Sequence, residues 1–121
     1  VKLKPEDILQ INVVNWFKFN YPEYADDLIH IANQRTCSVQ EGRILKRMGV
    51  TRGVSDLFLS VPNNDYHGLW LELKTDKGVV SREQKEFINR KRMRGYCAMV
   101  AYSEEESQEI LEIYIKNIDN D

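Results

Sequence analysis

Apolar and polar positions along the 121 residues change period several times, and each change marks an element. After Pro5, the residues Ile8, Ile11, Val14 and Phe17 recur at helical spacing and predict a first helix with those side chains buried. Proline suits the first helical turn, Glu6 and Asp7 complement the helix dipole there, and Asn20-Tyr21-Pro22 ends the run. A short strand over 28–32 follows. Three later helix starts carry one local signal: Ser38 with Glu41, Ser81 with Gln84, and Ser103 with Glu106 fit the capping box. They predict helices over 39–48, stopped by Gly49, over 82–94, stopped by Gly95, and from about 104, with Ile110 and Leu111 on the apolar side. Strands are predicted over 57–61, 69–75 and 96–101.

The turn formers of 62–68 make the first two of these strands an antiparallel hairpin. The helix after Thr75 carries the chain to a strand parallel to its neighbour. The order helix, strand, helix, hairpin, helix, strand, helix predicts an α/β fold, a mixed central β-sheet flanked by helices. No repeat, low-complexity tract or linker interrupts it, and the length suits one domain over 1–121.

Composition narrows the class. The chain is 42% hydrophobic and 30% charged, ordinary for a globular protein, and no apolar run approaches the roughly 18 residues that span a bilayer. No signal-peptide pattern opens it, so a cytoplasmic location with no membrane partner is expected. Cys37 and Cys97 match no zinc or redox spacing and read as free thiols of a reducing compartment. The net charge of −2 hides an uneven distribution. Residues 35–52 hold Arg35, Arg43, Lys46, Arg47 and Arg52 against the single acid Glu41, and 85–94 hold five bases against Glu86. Each cluster reads as a solvated helix face or as a phosphate-binding surface.

Chemistry concentrates in 53–74. Asp56 opens the first hairpin strand, and Glu72 and Lys74 sit in the second, otherwise built of Leu and Trp. Side chains two apart on a strand share a face, so Glu72 and Lys74 face one way while Leu71 and Leu73 point into the core. A hairpin brings Asp56 beside Glu72. Hard cations such as Mg²⁺ take oxygen ligands and only one or two protein carboxylates. Asp56, Glu72 and the Leu73 carbonyl supply such oxygens, and Lys74 is suited to orient or deprotonate a water or to stabilise developing negative charge. Taken singly, an acid-x-lysine pair is usually a solvated ion pair, and an Asp before a strand is usually a turn residue. His30 and His67 have no metal-spaced partner, and Trp16 and Trp70 read as packing residues.

The pattern Gly53-Val54-Ser55-Asp56 followed by Glu72-Leu73-Lys74 resembles the motif of the PD-(D/E)XK nuclease superfamily, with its restriction-endonuclease-like core, and specifically its VRR-NUC branch. The similarity extends to the basic stretch 43–50, to Ser81-Arg82-Glu83-Gln84 after the lysine, and to Ile31-Ala32-Asn33-Gln34, where phage members carry an Asn-rich turn. Ser55 departs from the family's proline before the aspartate, a position that supplies no metal ligand. The resemblance implies catalytic roles for Asp56, Glu72, Lys74 and Gln84, and a metal site of Asp56, Glu72 and Leu73. An acid from the first helix is expected to join it: Glu6 is the candidate, Asp7 fits as well, and dipole compensation explains either. Gln84 completes a cap, faces the active site, or does both.

The implied activity is a Mg²⁺- or Mn²⁺-dependent DNA endonuclease, selective for branched DNA such as four-way junctions. It is expected to act as a homodimer in a bacterial or phage-infected cell, with Arg35, Arg43, Lys46, Arg47 and Arg52 contacting DNA phosphates. Two readings compete with it: a DNA-binding module without turnover, and an interaction domain whose Glu72–Lys74 pair is solvated.

Overall fold

The structure is a computed structural model that describes residues 1–32 and 38–119. Helix α1 (Pro5–Asn20) leads through a 3₁₀ turn (Pro22–Asp27) into β1 (Leu28–His30). Helix α2 (Val39–Arg47), the hairpin β2 (Leu57–Leu59) and β3 (Leu69–Leu73), α3 (Arg82–Met93), β4 (Cys97–Ala101) and α4 (Glu104–Lys116) follow. The sheet order is β1-β2-β3-β4, antiparallel across the first two pairings and parallel between β3 and β4. This is the mixed α/β architecture that the pattern predicts.

Alternation along β3 divides the interior in two. Leu69, Leu71 and Leu73 join Leu57, Leu59, Val13, Phe17 and Leu111 in the larger cluster, roofed by α1 and α4. Trp70 faces the other way and packs with Phe87 and Ile88 of α3 and with Ala98. Phe58 stacks on Trp70 at 4.2 Å between ring centroids.

The buried stripe of α1 differs from the predicted one. Leu9, Val13 and Phe17 are buried, whereas Ile8 and Ile11 are 47% and 45% exposed and Val14 packs at the margin. Steps of three residues drift by about 60° each and wrap half the helix, while steps of four drift by only about 40°. The four-residue spacing therefore stays on the face that meets the sheet.

The strands are shorter than predicted. The pairing of β3 with β2 stops at Leu71, and two residues on the Leu73 N–H donates to the Asp56 carboxylate (2.8 Å). Of the three predicted capping boxes only Ser81/Gln84 is reciprocal. Ser38 and Ser103 accept from the backbone of Glu41 and Glu106, but Glu106 turns its carboxylate to the Tyr102 N–H. Helix α2 buries no residue, so its amphipathic pattern lacks the core contact that the other helices make.

Candidate active site

The hairpin register builds the site. Leu57 pairs with Leu71, so Asp56 and Glu72, one step outward on each strand, stand opposite each other. Glu72 lies on the α3 face of β3 and is 3% exposed. That excludes the solvated ion pair: this carboxylate is out of water.

Three groups meet it. Gln84 Nε2 donates to Glu72 Oε2 at 3.0 Å, and Lys74 Nζ lies 3.6 Å from the same oxygen. The other oxygen, Glu72 Oε1, is buried and has no hydrogen-bond donor. Burial raises the Glu72 pKa from 4.5 to about 8; the Asp56 carboxylate adds to the rise, and Lys74 opposes it. An orphaned carboxylate oxygen beside a second carboxylate is an unfavourable arrangement for an anion. A proton or a cation relieves it.

Gln84 does both of the jobs open to it. Its Oε1 accepts from the Ser81 N–H (2.8 Å), its own N–H donates to Ser81 Oγ (3.1 Å), and its amide nitrogen reaches Glu72. The cap that starts α3 thus fixes the rotamer that holds the glutamate.

The donor set fits a hard divalent cation: two carboxylates, with the Leu73 carbonyl on the strand edge from which its N–H meets Asp56. The structure does not bring a third acid there, since no three His, Cys, Asp or Glu side chains gather among the described residues. Glu6 stays in the first turn of α1, and Asp7 accepts from the Lys4 N–H as a cap.

The basic residues divide similarly. Lys46 and Arg52 line one cleft of about 820 Å³ between α2 and α3, shared with Glu83, Glu86 and Arg90. Arg52 also borders the recess that holds Ser81 and Gln84. Arg43 and Arg47 are exposed on α2 outside that lining, and Arg35, with Cys37, lies outside the described residues.

His30 is a neighbour of the site that no sequence motif marks. Its Nδ1 lies 2.6 Å from the Asp56 carbonyl oxygen, tying β1 to the strand entry that carries the acid. Only the cross-strand register (His30 opposite Leu57) reveals this contact.

With that geometry in place, the comparisons are decisive. The VRR-NUC domain profile matches residues 3–105, which includes the hairpin, Lys74 and Gln84. The chain belongs to the VRR-NUC family. A solved structure described as a VRR_NUC domain protein superposes with a TM-score of 0.85 at 32% identity, covering 98% of this chain and 94% of that one. No curated protein matches the chain. A VRR-NUC domain is a nuclease-type domain acting on DNA, and its α/β nuclease fold is the one described above. No helix among the described residues is long and apolar enough to cross a membrane.

Proposed function

We propose that this VRR-NUC chain is a divalent-cation-dependent endodeoxyribonuclease, selective for branched DNA such as four-way junctions and active in the cytoplasm as a homodimer. The observation that carries the reading is Glu72: a carboxylate buried opposite Asp56, with one oxygen lacking any donor. A core built for stability would place a leucine there. Asp56, Glu72 and the Leu73 carbonyl would hold Mg²⁺ or Mn²⁺. When bound, the cation lowers the pKa of water and offsets charge on the phosphate.

The chain's own groups do the remainder. Burial raises the Glu72 pKa to about 8, so Glu72 would have to give up its proton to hold the cation. Gln84 holds Glu72 Oε2 in place, which leaves Oε1 as the oxygen that would be free to serve as a ligand. Lys74, whose Nζ lies 3.6 Å from Glu72 Oε2, would stabilise negative charge developing on a phosphate bound beside that carboxylate. Lys46 and Arg52 bind the DNA backbone without reading bases. A homodimer matches the two symmetric cuts of a junction. The uncovered apolar residues Val39 and Ile44 of α2 and Met48 at its C-terminal cap support a second copy.

The test is cleavage of an end-labelled four-way junction with Mn²⁺, comparing wild type with Glu72→Ala. Cutting by the wild type alone supports the reading. Junction binding without cutting by either protein would instead favour a DNA-binding module. A linear duplex cut as fast as the junction would remove the branched-DNA selectivity, and sedimentation at the monomer mass would remove the homodimer.

A further inference from the structure

Two glycines in the segment between α2 and β2 share a left-handed backbone but have different surroundings. Gly49 has φ +101° and Gly53 has φ +80°. A Cβ at Gly49 would meet nothing within 4 Å. One at Gly53 would overlap the backbone carbonyl of Glu83 and come within 2.8 Å of Gln84 N. Gly53 therefore lies directly on the first turn of α3.

That contact closes a ring through the site. Gly53 is three residues ahead of Asp56, and Asp56 accepts from the Leu73 N–H. Leu73 adjoins Glu72, and Glu72 accepts from Gln84. Gln84 belongs to the turn that rests on Gly53, and its own cap with Ser81 leaves its side chain no spare reach. Moving that turn by the width of a methyl group would withdraw the Gln84 amide from Glu72.

We propose that Gly53 is a positioning residue: its missing side chain seats α3 so that Gln84 holds Glu72 in the cation-binding pose. The proposal rests on the endonuclease reading for its consequence, but the Gly53–Gln84–Glu72 linkage can be measured without activity.

The test compares Gly53→Ala with Gly49→Ala in the full chain, since both place a Cβ on a left-handed backbone and only the first meets a neighbour. Two quantities are read: the Mn²⁺ concentration for half-maximal junction cleavage, and the Gln84 side-chain amide signal in ¹H–¹⁵N NMR, identified by its absence in Gln84→Ala. Gly53→Ala should need about tenfold more Mn²⁺, the usual effect of losing a partner behind a metal ligand. It should also shift the Gln84 signal toward that of a solvated amide, while Gly49→Ala changes neither. Gly53→Asn, which tolerates the left-handed backbone yet keeps the Cβ, should repeat both effects if the alanine variant does not fold.

Wild-type behaviour of Gly53→Ala in both readouts would overturn the proposal, as would equal effects in Gly49→Ala. Failure of both Gly53 variants to fold would make Gly53 a folding residue and overturn it too. If the wild type itself does not cleave, the endonuclease reading falls, and the NMR signal alone decides the linkage.

Discussion

The two faces of β3 carry side chains of nearly equal burial and opposite consequence. Leu71 is 1% exposed and Glu72 is 3% exposed, one residue apart. On the Leu71 face every neighbour in the cluster is apolar or aromatic, so removal from water stabilises the fold. On the Glu72 face an aromatic cluster under α3 gives way to a carboxylate with an orphaned oxygen, so removal from water is a cost that a proton or cation offsets. Depth in the structure therefore does not separate groups that burial stabilises from groups for which burial is a cost. The pairing of polar atoms does.

The strongest way to break this contrast is Glu72→Gln. Junction cleavage should fall by about 10³-fold, because several kcal/mol of cation-dependent stabilisation is lost. Metal-free Tm above about pH 8, where Glu72 gives up its proton, should rise by about 5 °C, since a buried carboxylate with one orphaned oxygen is replaced by a neutral amide. A lowered Tm would mean that Glu72 serves the fold.

Leu71→Ala is the counterpart. It should lower stability by about 3 kcal/mol in urea unfolding, with cleavage falling only as the folded fraction falls. Activity loss in a fully folded variant would erase the distinction between the faces.

Gln84→Ala should be milder than Glu72→Gln, weakening Mn²⁺ activation by about tenfold. Unchanged Mn²⁺ dependence would confine Gln84 to its role in the cap.

The pH profile sharpens the contrast further. Folded Glu72 keeps its proton up to about pH 8, whereas an exposed glutamate releases it near 4.5. Between those values the folded state binds the extra proton, so metal-free stability should fall as pH rises through the window. Thermal melts in that range should show the decline in wild type and a flatter curve in Glu72→Gln. On the proposed reading Mn²⁺ binds the deprotonated folded state, so saturating Mn²⁺ should raise the wild-type Tm most at the alkaline end. Matching slopes in the two proteins would break the assignment. The smallest effect is expected from Lys46→Ala, which should reduce the salt slope of junction binding by about 0.9 without changing which DNAs are cut.

Local signals were legible where local physics decides. The serines at 38, 81 and 103 marked helix starts because a cap is satisfied within three residues, and all three accept the expected backbone N–H. The hairpin and the parallel crossover were legible because turn formers and connection length constrain strand direction. The α1 stripe was not, because its apolar residues offered two phases and only α4 and the sheet select between them. Helix α2 shows the same limit: it carries the capping serine and apolar pattern of a core helix, yet it buries nothing.

The order of elements, the aspartate and glutamate–lysine pattern of a VRR-NUC domain, and the pairing of Ser81 with Gln84 are all written in the residue string. These depend on neighbours a few residues apart or on chemistry written in residue type. The tertiary structure decided that Glu72 is buried, that Gln84 reaches it, that His30 anchors Asp56, and that Gly53 seats the first turn of α3. The last three are contacts between residues 12 to 31 positions apart. Their environments exist only once the sheet has closed beneath α3.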